Sequence, residues 1–299
     1  MSINTKAVKS RIQSVKNTSK VTRSMEKIST VKKAKFASQA LQSKKYSNEL
    51  FRTNDIFADT LEISEGSSPI LQKRSLDTTM VVVFTSDRGL CGSFNSNVIN
   101  VASRYISDLK IKDPSRVIKL TALGKKGVKI ANAIDGLIVD GVYEKLYEGN
   151  TYDRCYEISR TLVNKYLVDE CDEVILIYTA FQSFTSQNIV IEKILPFKKP
   201  IAEDVEVADY SSKEVYQIEP SVEALQEYIF LKTLDTKIYQ ALLESSASEH
   251  TSRMMAMKNA SDNASDLTSL LNLTYNKGRQ AAITQEVSEI VAGIEALVN

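Results

Sequence analysis

The stretch with the most chemistry in it is Thr85-Ser-Asp-Arg-Gly-Leu-Cys-Gly-Ser-Phe-Asn95. It puts a carboxylate, a guanidinium, a thiol and several hydroxyls side by side. It follows the apolar run Met80-Val-Val-Val-Phe84 and precedes residues with helical spacing. Backbone N–H groups at such a strand-to-helix junction often hold phosphate. The loop nevertheless lacks Gly-x-Gly-x-x-Gly and lacks the Gly-Lys-Ser/Thr of a P-loop. The stronger reading is a tight turn, with Gly89 and Gly92 supplying free backbone angles and Ser93 or Asn95 capping the helix. Cys91 could serve as a nucleophile only with a nearby base or a lowered pKa, and the single histidine, His250, falls on another element.

Other candidates are weaker. Gly124-Lys-Lys-Gly127 could meet phosphate, but a capped, solvated helix start explains it better. Glu249, His250, Met254, Met255 and Met257 fall mid-helix, where methionines could form an adaptable binding surface or, more simply, pack against a partner helix. No pair of carboxylates has a supporting acid–base environment. Cys91, Cys155 and Cys171 are odd in number and widely spaced, which fits neither a disulfide framework nor a zinc pattern. They read as free thiols in a reducing compartment. The expectation is no catalytic residue, no metal and no cofactor.

The elements that would carry these residues are of two kinds. Residues 1–65 contain neither Gly nor Pro, and neither do residues 221–277. At about 1.5 Å per residue the second stretch alone could reach roughly 85 Å as a helix. Ile283, Val287, Ile290, Ile294 and Leu297 are spaced four, three, four and three, the apolar seam of a coiled coil that one helix cannot bury alone. The first stretch supplies the partner. Val8, Ile12 and Val15 start a stripe, Val21, Met25, Ile28 and Val31 resume it slightly out of phase, and Phe36, Leu41, Leu50, Phe51 and Phe57 carry it on. Thr18, Ser29 and Ser38 are small polar residues expected within that seam. Such a seam is under-packed for a permanent two-helix coil and suits a rod that slides past other protein.

Between them the pattern changes. Met80–Phe84, residues 116–121, 137–139, 173–178 and 187–195 read as strands, the last at an edge. Residues 97–109, 124–134 and 151–168 read as helices. Alternation of this kind implies a mainly parallel sheet. The fold expected is therefore a long antiparallel two-helix coiled coil formed by the N- and C-terminal segments, with an inserted Rossmann-like α/β domain. The divisions are 1–65, 75–200 and 210–299, with an acidic connection over 203–214.

Charge points to partners. The chain is nearly neutral overall, yet residues 1–45 hold twelve Lys or Arg against one acid, Glu26. A basic arm of this kind suits nucleic acid, a membrane surface or an acidic protein lining. Neither base-stacking aromatics nor a recognition motif accompany it. No run of about 20 apolar residues exists to span a membrane. The N-terminus lacks a signal-peptide core, and its helical pattern runs on to about residue 60 without a cleavage-like break.

Four blocks together resemble the γ subunit of F-type ATP synthase. They are Ile12-Gln-Ser-Val-Lys-Asn-Thr-Ser-Lys-Val-Thr-Arg-Ser-Met-Glu26, Ser86-Asp-Arg-Gly-Leu-Cys-Gly92 with Phe94-Asn95, Ser248-Glu-His-Thr-Ser-Arg-Met-Met-Ala-Met257, and Tyr275-Asn-Lys-Gly-Arg-Gln-Ala-Ala-Ile-Thr-Gln-Glu-Val-Ser-Glu-Ile-Val291. Their order and spacing fit along the whole chain. The resemblance implies a non-catalytic rotor shaft inside the α3β3 hexamer, with the α/β domain at its foot beside ε and the c-ring. Rotation would impose different conformations on the β subunits in turn and so couple proton flow to ATP synthesis. Carried over residue by residue, Arg279 and Gln280 would meet a β-subunit loop, Thr284 and Glu286 would continue that face, and Arg23 and Met25 would face the β lever. Gly278 stands where the family generally has a better helix former, at about 1 kcal/mol if helical, and Lys33 where it often has Met. The chloroplast-type dithiol insertion is absent. The expected location is the cytoplasmic face of a bacterial inner membrane, as a peripheral subunit, with the matrix side of a mitochondrial inner membrane as the alternative. The competing functions are a helical-arm nucleic-acid binder and an α/β nucleotide enzyme using residues 86–95.

Overall fold

A computed structural model describes residues 4–60, 74–148, 150–181, 187–197, 219 and 221–298. Its elements in chain order are α1 (Thr5–Thr60), β1 (Thr78–Phe84), α2 (Phe94–Lys112), β2 (Val117–Leu123), β3 (Ile138–Tyr143), α3 (Thr151–Leu167), β4 (Glu173–Phe181), β5 (Gln187–Leu195) and α4 (Val222–Val298). The chain divides into two compact units. One comprises residues 1–31 with 253–299, and the other residues 32–252.

In the larger unit the sheet order is β3-β2-β1-β4-β5. β1, β2, β3 and β4 pair in parallel, and β5 runs antiparallel to β4 at the edge. β1 shows why this sheet is buried on both faces. Met80, Val82 and Phe84 point into one apolar cluster, and Val81 and Val83 into another. Adjacent strand side chains point to opposite faces, so a continuous apolar run requires cover on both. On one face that cover is Val98, Ala102 and Ile106 of α2. On the other it is Ile158, Leu162 and Tyr166 of α3 together with Phe230, Leu234 and Ile238 of α4. The long C-terminal helix is thus part of the α/β core. Each such side chain, fully buried, contributes about 1.5–3 kcal/mol.

The helix expected over 124–134 is only a short 3-10 segment, Lys125–Ile130. Gly124 has φ 109°, and a Cβ there would lie 2.1 Å from the Thr85 carbonyl oxygen. Gly127 packs against Ala122, where a Cβ would come within 2.9 Å. The chain is pressed against β1 and β2 too closely for a regular helix. The third strand is longer than 137–139, and it carries a bulge opposite Leu120 and Thr121.

Within the larger unit α1 and α4 run antiparallel. Phe36 stacks on His250, whereas Gln240 donates to the Ala40 carbonyl oxygen. Phe36, Ala40, Leu243 and Ala247 form the apolar contact, with Tyr147 and Phe181 against it. In the smaller unit the helices meet at Ser19 and Ser261, whose hydroxyl oxygens are 3.5 Å apart.

The phase of the seam differs from the sequence expectation. The covered positions of α1 in the smaller unit are Thr5, Val8, Ile12, Val15, Ser19, Thr22, Glu26 and Ser29, an unbroken alternation of three and four. Met25 is half-buried on its flank. Val21, Ile28 and Val31 are 58%, 56% and 71% exposed. Thr18 and Ser38 are also exposed, and so is Leu41, while Ser29 is buried. The side chains of Phe51 and Phe57 lie outside the described residues. A heptad register carried straight through from Val8 and Ile12 places hydroxyl residues inside, and the apolar residues one position away then face out.

α4 answers with Met254, Met257, Ser261, Ala264, Thr268, Leu271, Tyr275 and Gly278, all buried or half-buried. Met257 is core, as expected of the methionines, but Met255 is 47% exposed. Beyond Gly278 the expected seam is not buried. Ile283, Val287, Ile290 and Ile294 are 51–62% exposed, and the side chain of Leu297 lies outside the described residues. The reason is length. With Ser19 against Ser261, equal rise sets Thr5 opposite about residue 275, so α1 leaves the last turns of α4 uncovered. The 203–214 connection lies outside the described residues.

Candidate functional site

The loop after β1 is built to hold itself. Asp87 accepts from the backbone N–H of Lys125 at 3.1 Å and of Lys145 at 3.0 Å, which ties the ends of three strands together. Asn95, on the first turn of α2, accepts from the Ser86 N–H at 3.0 Å. Its amide donates to the Ser86 hydroxyl at 2.7 Å and to Cys91 Sγ at 3.1 Å. The Ser86 hydroxyl donates to the Arg88 carbonyl oxygen at 2.6 Å. Leu90 and Gly92 take positive φ. Ser93 occupies the N-cap position without a side-chain cap bond. The turn thus uses Leu90 rather than Gly89 for its left-handed residue, and Asn95 braces the loop instead of capping the helix. Ser86, Asp87 and Asn95 are taken up in bracing the loop and its neighbours, as a tight turn requires, while Arg88 and Ser93 are exposed.

The thiols are similarly placed for packing. Cys91 is buried inside this loop. Burial pushes the Cys155 thiol up to about 12 and the Cys171 thiol up to about 11, the reverse of what a nucleophile needs. His250 lies flat against Phe36, 5.6 Å between ring centroids, within the α1–α4 contact. Among the described residues, no group of His, Cys, Asp and Glu could hold a metal ion. No helix there is long and apolar enough to cross a membrane.

The residues expected to touch partners all fall in the smaller unit, at two levels. Arg23 is exposed on α1, with Met25 half-buried beside it. Arg279, Gln280, Thr284 and Glu286 are exposed on α4, past the end of the two-helix seam. From the Ser19–Ser261 contact, the two groups stand roughly 35 Å apart along the helix axis. They form two stations rather than one site. Around each lie apolar residues that the sequence reading had assigned to the interior: Val21 and Ile28 near the first, Ile283, Val287, Ile290 and Ile294 near the second. The signal that could have found them is the rival heptad of Ser19, Thr22 and Ser29, which keeps the phase set by Val8 and Ile12.

Comparison with known proteins covers the whole chain. A family model described as ATP synthase matches residues 4–297. The ATP synthase gamma chain of Geobacter metallireducens is 36% identical over 292 residues, covering 98% of each chain. Among solved structures, the central stalk and c-ring assembly of Tetrahymena thermophila mitochondrial ATP synthase contains a chain 23% identical to this one. It covers 81% of this chain and 99% of that one, with a TM-score of 0.59. A chain of Euglena gracilis mitochondrial ATP synthase (OSCP, F1 and c-ring, rotational state 3) is 17% identical, covers 98% and 94%, and has a TM-score of 0.63. At these identities the two structures speak to the fold, which they share with this chain.

Proposed function

Because the chain belongs to the ATP synthase γ-chain family, we propose that its long helices turn inside an α3β3 hexamer while its α/β body meets ε and the c-ring. As a γ chain it is the central-stalk rotor and a non-catalytic subunit. The observation that carries the finer reading is the uncovered end of α4. A helix that leaves Ile283, Val287, Ile290 and Ile294 more than half exposed has an apolar stripe with no partner among the described residues. Patches of this kind mark surfaces that other protein covers.

The mechanism follows from stiffness and charge. α1 and α4 are continuous helices of 56 and 77 residues. A seam in unbroken heptad register resists bending and twist, and torque from the α/β body would pass along these helices toward the end of α4. There Arg279 and Gln280 would engage a β-subunit loop, with Thr284 and Glu286 continuing the face. Arg23 and Met25 would meet the β lever. The lysine-rich face of α1 would attract acidic lever segments at a distance without locking them, since exposed ion pairs are weak and screened. Membrane association would come through the complex, leaving the chain itself peripheral.

Reconstitution tests this. The chain mixed with α, β and ε should yield a complex whose ATP hydrolysis turns a probe attached to the α/β body. A complex that hydrolyses ATP with the probe stationary would sink the reading.

A further inference from the structure

A groove of about 290 Å³ lies in the larger unit where α1, α3 and α4 meet, lined by Gln39, Gln42, Ser43, Tyr46, Tyr152, Thr236 and Tyr239. Three of these seven residues are tyrosines. Tyr152 and Tyr239 pack edge to face with centroids 5.4 Å apart, and Tyr46 is 51% exposed at the mouth. Lys232 stands beside it, its Nζ donating to the Tyr152 hydroxyl at 2.7 Å and lying 5.2 Å from that ring's centroid. Among the described residues no carboxylate pairs with Lys232. None of the lining residues is acidic, and Lys44 and Lys45 are exposed on the same stretch of α1.

Three tyrosines in one groove, with a fixed cation beside it, resemble a protein interface core more than ordinary surface. The charge selects the partner. A cation held by the Tyr152 phenol, near more lysines and with no acid in the lining, calls for an anion from outside. We propose that this groove receives an acidic segment of another subunit of the complex, one carboxylate meeting Lys232 and a neighbouring apolar or aromatic side chain entering between Tyr46, Tyr152 and Tyr239. This rests on the assembly proposed above, and it adds a third contact, on the larger unit, separate from the stations at Arg23 and Arg279.

The test places a photoreactive ring in the groove. The full chain carrying Tyr46→p-benzoylphenylalanine is reconstituted with its partner subunits and irradiated, and the cross-linked peptides are mapped by mass spectrometry. The expected product joins position 46 to an acidic segment of one defined subunit. Adding Lys232→Gln should lower its yield about three- to fivefold, the range of one partly exposed ion pair, and Lys232→Arg should restore it. A product with a non-acidic segment overturns the proposal. So does an acidic product whose yield ignores Lys232→Gln, or assembly with no product. Capture of a small molecule alone overturns it too. Failure of the chain to enter any complex would overturn the assembly reading and this proposal together.

Discussion

Ser19 and Ser261 face each other with their hydroxyl oxygens 3.5 Å apart, in the middle of the two-helix seam of the smaller unit. Side chains this small at the point of contact let two helices approach closely, and they leave no room for larger ones. The covered residues on either side of Ser19, Val15 and Thr22, keep the same register. From Ser19 to Ser29 hydroxyl residues hold most of the inside, and Val21 and Ile28 are left outside.

That assignment can be measured. Ser261→Leu inserts a branched chain against α1 and should destabilise the chain by about 1–3 kcal/mol through overpacking. Val21→Ser, a seam change under the opposite phase, should stay within about 0.5 kcal/mol because Val21 is 58% exposed. Urea unfolding of both variants decides between the phases, and a reversed order would refute the one described.

The terminal station has a functional test. Arg279→Ala with Gln280→Ala removes two exposed side chains past the end of the seam. Circular dichroism of the isolated variant should be unchanged. Coupled ATP synthesis by the reconstituted complex should fall several-fold, since each lost hydrogen bond to a partner is worth about 1 kcal/mol. Unaltered synthesis would remove these residues from the contact.

The α/β body is tied to α4 by a nearly buried ion pair. Arg160 of α3 donates to Asp235 Oδ2 at 2.8 Å, with Asp235 only 2% exposed. Asp235→Ala strands the guanidinium at that interface and should cost about 2–4 kcal/mol, somewhat less than a fully enclosed pair because Arg160 keeps some access to water. Asp235→Asn retains an acceptor and should cost less. Equal losses for the two variants would show that the retained acceptor contributes nothing and that the lost carboxylate charge carries the whole cost.

Alkaline pH should expose the buried thiol of Cys155. Its folded pKa is raised to about 12, chiefly by burial, from an ordinary value of 9.0. Between those values the unfolded chain releases a proton that the folded chain retains. Stability is therefore full below about pH 9 and declines as pH rises toward 12. Cys155→Ala should show a shallower decline over that window, followed by chemical unfolding at fixed temperature. An unchanged slope would show that the thiol is not desolvated in the folded state.

How much of this was legible beforehand varies element by element. Met80–Phe84 could only be a strand covered on both faces, and it is. The long Gly- and Pro-free stretches could only be helices. The heptad phase was less legible because two registers, one apolar and one hydroxyl-rich, run side by side through residues 19–31. Hydrophobicity favoured Val21, Ile28 and Val31, yet close helix approach favoured Ser19, Thr22 and Ser29. Asp87 gave no sign of its role, since its acceptors' partners, Lys125 and Lys145, are brought to it by strand ends far apart in the chain. The tyrosine groove is illegible for the same reason, being assembled from α1, α3 and α4.

By itself the sequence determined two long helices, an α/β insertion between them and, through its motif blocks, the family. Those properties depend on local backbone preference and on apolar runs that need cover. Tertiary structure alone decided which side of α1 meets α4 and where that meeting stops. Both depend on pairing distant segments at a fixed rise, and that pairing leaves Ile283, Val287, Ile290 and Ile294 without cover from α1.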